Sequence, residues 1–107
     1  MKIAIPSIDK TLKSFVSDSL GRSPFIIIYN NETGKFDYFE NIGFKIKDGS
    51  GLKAAELILQ NNADVLLTQE IGRKTYSVLM KEHVEIYLLK SSGTVKSALK
   101  KYSKKRT

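Results

Sequence analysis

The residues of this chain with the most chemical promise are glycines, serines and one arginine. Ser19-Leu20-Gly21-Arg22-Ser23 lies at the end of a polar run between Ser7 and Pro24, and Gly49-Ser50-Gly51 stands just before a segment of helical periodicity. Glycine lets a backbone come close to a ligand, arginine presents a planar charged fork, and a glycine-rich turn at a helix start offers free N–H groups to an anion. Neither stretch is a P-loop, because no Gly-Lys-Ser or Gly-Lys-Thr follows. Each also has a plain structural reading. Gly49–Gly51 is then a flexible turn with Ser50 as a helix N-cap, and Gly21–Pro24 a β-turn with Arg22 in solvent.

Other chemistries lack their residues. The sequence has no cysteine, which removes disulfides, thiolate-held iron–sulfur clusters and cysteine-ligated zinc. The single histidine, His83, falls between Glu82 and Val84 at the start of a strand and reads as a surface residue. No Gly-x-Ser-x-Gly elbow occurs, and the serines have no evident base. No catalytic residue is assigned, and the chain is read as a non-enzyme.

The elements that must position these residues follow from periodicity. Lys2–Pro6 reads as a short buried strand ended by Pro6. Ser7–Ser23 is a long polar connection, a length at which loops are functional or mobile. Phe25–Tyr29 is a β-branched and aromatic strand. Asn30–Gly34 has hairpin chemistry, and Phe36–Asn41 is the return strand. The period then changes. Leu52, Ala55, Ile58 and Leu59 have helical spacing and stop at Asn61-Asn62. Asp64–Thr68 and Val84–Leu89 are apolar runs of the kind buried on both faces. Ile71, Thr75, Val78 and Leu79 mark a second helix, and Val95, Ala98, Leu99 and Tyr102 a third.

This order predicts one α/β domain over residues 1–107: a five-stranded mixed sheet, order 3-2-1-4-5 with strand 2 antiparallel, and about three helices in an α/β/α sandwich. The loops Ser7–Ser23, Ile42–Ser50, Gln69–Glu70 and Lys90–Gly93 then leave the sheet at one edge, where ligands of open α/β sheets bind. Metal-dependent nucleases that share this strand order need an acid on the first strand, and Ile3-Ala4-Ile5 offers none.

The net charge of +7 is concentrated at the carboxyl end. Lys96–Thr107 carries six basic residues and no acid, while the other 95 residues carry 12 basic and 11 acidic side chains. The tail 103–107 reads as a frayed, solubilising helix end. Without aromatic interleaving it lacks the marks of a nucleic-acid reader. No apolar run approaches the roughly 20 residues that cross a bilayer, and no signal peptide is apparent, so the cytoplasm is the expected address and no membrane partner is expected.

Taken together, the motifs resemble the dinitrogenase iron–molybdenum cofactor-binding family, which includes NifX-type accessory proteins and the carboxyl-terminal domain of NifB. The resemblance spans nearly the whole chain. It is carried by Met1–Pro6, by Val16-Ser17-Asp18-Ser19-Leu20-Gly21-Arg22-Ser23-Pro24-Phe25, by Gly49-Ser50-Gly51 with Ala54-Ala55, by Ala63-Asp64-Val65, and by Ile71-Gly72 and Gly93-Thr94-Val95. It implies a ribonuclease H-like three-layer fold and the binding of an iron–sulfur or iron–molybdenum type cluster or its precursor. The implied site combines Ser19–Ser23, Gly49–Gly51 and Gln69–Gly72. Where the family often has histidine followed by an aromatic, this chain has Ser19 and Leu20, and serine is a poorer ligand for such centres.

The resulting expectation is a carrier for an anionic metal–sulfur cofactor or related small anion. Ser19, Ser23, Ser50 and Gln69 would donate hydrogen bonds, Gly21, Gly49 and Gly51 would admit the backbone, and Arg22 would supply charge. No metal-ligating residue is assigned. The alternative is an interaction module whose basic carboxyl-terminal helix docks on an acidic protein or nucleic acid.

Overall fold

The computed structural model describes residues 1–45 and 48–106. Its strands are β1 (Lys2–Ser7), β2 (Phe25–Asn30), β3 (Phe36–Glu40), β4 (Val65–Thr68) and β5 (Glu85–Leu88). Its helices are α1 (Ser50–Gln60), α2 (Arg73–Lys81) and α3 (Val95–Arg106), with a 3₁₀ turn at Ile42–Lys45. The sheet order is β3-β2-β1-β4-β5. β2 runs antiparallel to β1 and β3, while β1, β4 and β5 are parallel. This is the topology that the alternation of strand and helix patterns predicts.

Strand alternation divides the core in two. Ala4, Ile26, Ile28 and Leu66 meet Ala54, Ala55, Ile58 and Leu79 of α1 and α2. Ile3, Ile5, Ile27, Val65 and Leu67 point the other way, against Val95, Ala98 and Tyr102 of α3. Of the side chains expected on helix stripes, Val78 and Leu52 are instead partly exposed, at 36% and 42%. None of the described helices is long and apolar enough to cross a membrane.

Four local expectations change. β1 does not end at Pro6 but continues to Ser7, with Pro6 opposite Ile26 of β2. Proline is tolerated there because β1 pairs with β4 only at Ile3 and Ala4, so no β4 ladder bond is lost. β5 is an edge strand rather than a buried one, with Glu85 and Leu88 exposed and the flanking Val84 and Leu89 buried. An apolar run by itself does not say whether a strand has one neighbour or two. The long connection after β1 is also well anchored. Ser17 N–H donates to Pro6 O at 3.0 Å and Val16 N–H to Gly93 O at 2.8 Å, and Ser14, Val16, Ser17 and Leu20 are buried. The segment expected to fray, 103–107, is helical as far as Arg106. Thr107 and the pair 46–47 lie outside the described residues.

α1 and α2 end alike. After α1, Asn62 N–H donates to Leu59 O and Ala63 N–H to Ile58 O; after α2, His83 N–H donates to Met80 O and Val84 N–H to Leu79 O. These are Schellman closures, and both put a non-glycine residue at positive φ, 56° for Asn62 and 63° for His83. Histidine has no local device that offsets the left-handed cost, about 1 kcal/mol. His83→Gly is expected to raise the melting temperature by about 4–8 °C, as read by circular dichroism, whereas His83→Val lowers it.

Candidate functional site

The loop after β1, the start of α1 and the turn from β4 into α2 converge at the carboxyl edge of the sheet. They enclose a groove of about 760 Å³ whose lining includes Ser19–Gly21, Gly49–Leu52 and Gln69–Gly72. Lys74, Thr75 and Leu88 complete it.

Backbone proximity holds these segments together. A Cβ on Gly21 would lie 2.5 Å from Ser50 Oγ and 2.8 Å from Gly51 N. A Cβ on Gly51 would collide with Thr75 Oγ1 of α2. Gly21 and Gly51 therefore serve contacts within the chain, joining loop to α1 and α1 to α2. Gly49 is glycine for another reason: its φ of 75° is left-handed, and the space around it is open.

A buried side chain secures the loop. Asn41, just after β3, donates from Nδ2 to Leu20 O at 3.1 Å and to Ser23 O at 2.9 Å, and its Oδ1 accepts from Gly43 N–H at 3.2 Å. Asn41 was invisible as a site residue in sequence, where it reads as the last residue of a strand.

The helix starts facing the groove differ from that of α3. Gly49 and Gly72 occupy the N-cap positions of α1 and α2, and neither helix has a side-chain cap bond. Ser50, expected as a cap, is instead the first helical residue. The N–H groups of Ser50, Gly51 and Leu52, and of Arg73, Lys74 and Thr75, have no acceptor among the described residues. By contrast, Thr94 Oγ1 accepts from Ser97 N–H at the start of α3, while Val95 and Lys96 N–H donate to Ser14 O and Leu12 O. Glycine caps cost only a few tenths of a kcal/mol because solvent reaches the amides, so those amides stay available. α2 also opens with Arg73-Lys74, where the helix dipole disfavours cations, and Lys74 lines the groove. That local conflict is legible in the sequence as two cations directly after Gly72.

The structure brings Ser19, Gly21, Gly49, Ser50, Gly51 and Gln69 together on the groove. Arg22 is exposed and does not line it. Ser23 is fully buried and its Oγ donates to Ser7 O at 3.0 Å and to Phe25 O, so its hydroxyl is committed to holding the loop on β1. Gln69 Nε2 is buried without a hydrogen-bond partner among the described residues. Of the four loops expected at this edge, Lys90–Gly93 does not line the groove; Gly93 O is instead engaged by Val16.

The family model for the dinitrogenase iron–molybdenum cofactor matches residues 1–105. The chain belongs to that family. A proposed NifB protein from Thermotoga is 31% identical, covering 98% of this chain and 89% of its own, with a TM-score of 0.85. The apo form of the orange protein from Desulfovibrio gigas is 23% identical over 98% of this chain and 88% of that one, with a TM-score of 0.92, a likeness of fold. Among curated proteins no relative matches.

The donor set of the groove is short of metal ligands and rich in N–H groups. Among the described residues no three histidine, cysteine, aspartate or glutamate side chains could hold a metal ion together. The groove offers amide and side-chain N–H donors, the Lys74 ammonium, one carboxylate at Glu70, and apolar walls from Leu52, Ile71 and Leu88. Such a lining can donate hydrogen bonds to the outer atoms of an anion.

Packing at the glycines gives a direct stability test. Gly21→Ala is expected to cost roughly 1–3 kcal/mol through overpacking against α1, and Asn41→Ala at least about 2 kcal/mol through unmatched buried carbonyls. Gly72→Ala, with φ at −72° and open space around it, should cost the least, about 0.5–1 kcal/mol for alanine at a glycine N-cap. Urea denaturation of the three variants checks the ranking.

Proposed function

We propose that this protein is a non-catalytic carrier that holds an anionic metal–sulfur cofactor, or a related small anion, in the groove between the starts of α1 and α2. The reading rests on one observation. Two helix starts without side-chain caps and the unpartnered Gln69 Nε2 line a single groove. A buried donor without an acceptor costs about 1–3 kcal/mol, and a bound anion removes that cost. Membership of the cofactor family supports the choice of a metal–sulfur cargo over a phosphate.

In this reading Ser50, Gly51 and Leu52 give backbone N–H groups from α1, and Lys74 gives charge from α2. Ser19, Ser50 and Gln69 give side-chain donors, while Leu52, Ile71 and Leu88 exclude water from the remaining surface. Arg22 and Ser23 act at one remove. Ser23 fixes the loop on β1, and Arg22 adds positive potential beside Gly21. Hydrogen bonds and helix-dipole charge exchange readily, as a carrier that must release its load requires.

The test is anaerobic titration with isolated iron–molybdenum cofactor, followed by gel filtration and metal analysis of the protein peak. Iron and molybdenum should co-elute with the parent protein. Gln69→Ala and Lys74→Ala should each weaken retention by about tenfold, the effect of losing one charge-assisted or buried hydrogen bond. Retention unchanged in both variants would place the cargo elsewhere.

A further inference from the structure

On one face of the sheet α1 and α2 lie side by side; on the other α3 stands alone. Beside α3, over β1 and β2, a cavity of about 640 Å³ opens with Leu12, Tyr29, Leu99 and Tyr102 in its lining. The apolar surface continues outward through strand register. Tyr29 is opposite Phe36, and Ile27 is opposite Tyr38. Phe25 meets Tyr38 edge-on at 6.1 Å, and Tyr38 is half exposed.

Cations border this strip on both sides. Lys96 and Lys100, one turn apart on α3, line the cavity, and neither side-chain ammonium has an ion-pair or hydrogen-bond partner among the described residues. Lys10 stands over the Phe25 and Tyr38 rings at 5.6 and 5.5 Å. On the far side of α3 the lysines are engaged, Lys101 with Ser91 Oγ at 3.0 Å and Lys105 over the Tyr87 ring at 4.6 Å. Of the nearby acids, Glu32 is paired with the Met1 amine at 2.9 Å, and Glu40, opposite Phe25, lies at the Lys10 end of the strip, away from Lys96 and Lys100.

We propose that this strip docks an acidic amphipathic helix from another protein, seated beside α3 in the place a second helix would occupy. Apolar side chains of the partner fill the cavity between Leu99 and Tyr29, and its carboxylates meet Lys96, Lys100 and Lys10. A second copy of this chain is the wrong occupant, since the net charge of +7 is carried largely by α3 and the copy would bring like charges together. Nucleic acid would engage the lysines but leave the apolar floor uncovered. The inference stands apart from the carrier reading, because the strip shares no residue with the groove.

Tyr102 is buried in the core, so deleting from that residue onward would damage the fold. The experiment therefore uses the full chain and point substitutions. The probe is a fluorescent designed helix of about 15 residues with leucines on one face and glutamates on the other. Comparators are a scrambled peptide of the same composition and a single-stranded oligonucleotide. The designed helix should bind, more weakly as salt rises. The Lys96→Glu, Lys100→Glu double variant should weaken it by about tenfold or more, while Lys101→Glu leaves it unchanged. Amide resonances of Leu12, Tyr29 and Leu99 should shift, and those of Gly49–Gly51 should not. The proposal is overturned if the designed helix does not bind, if the scrambled peptide or the oligonucleotide binds as well, if the double variant binds like the parent, or if the shifts map to the groove.

Discussion

The arrangement depends on the absence of a single methyl group. Gly21 lies so close to Ser50 and Gly51 that no side chain fits between the loop and the first turn of α1. Gly51 in turn leaves room for Thr75 of α2. The two contacts form a chain from loop to helix to helix, and that chain is the groove. Overpacking either contact by one carbon would force the segments apart or shift the backbone. Asn41 completes the arrangement from below by binding the carbonyls of Leu20 and Ser23. The rigidity of this edge rests on backbone packing, the buried Asn41 amide and the buried Ser23 hydroxyl.

This explains how amides are kept available in an otherwise well-satisfied molecule. Helix starts usually recruit a serine, threonine or aspartate, and α3 does so through Thr94. At α1 and α2 that position is taken by Gly49 and Gly72, which leave the first turns open to solvent or to a ligand. Placing Arg73 and Lys74 at the start of α2 opposes the helix dipole at a cost of about 0.3–1 kcal/mol. The same cations strengthen the positive potential that a bound anion would meet.

The topology was readable because strand and helix periods alternate cleanly and the crossovers have one hand. Convergence of residues 19–21, 49–51 and 69 followed from that topology. What stayed hidden depends on contacts with no period. Asn41 carries no motif, and its role exists only because the 3₁₀ turn folds beneath the loop. Ser23 and Ser19 look equivalent in sequence; depth alone separates them, with Ser23 buried on β1 and Ser19 at the groove. Gly21 and Gly51 suggested a ligand approaching the backbone, whereas it is the chain's own backbone and Thr75 that come close. β5 read as buried because an apolar run looks the same at the edge of a sheet and in its middle.

The two surfaces relate through the sheet itself. The groove sits at the carboxyl edge between α1 and α2, and the basic apolar strip lies on the α3 face. The segment 12–16 links them. It closes the start of α3 through Leu12 O and Ser14 O, reaches Gly93 through Val16, and leads directly into Ser19–Gly21. Leu12 lines the strip, and Leu20 lines the groove. An occupant of the strip therefore presses on the same stretch of chain that forms one wall of the groove. Movement of that stretch is opposed by Val16 and Leu20, both buried, so the coupling available is a small shift of a packed segment, and its most direct outlet is the Gly21 contact with α1.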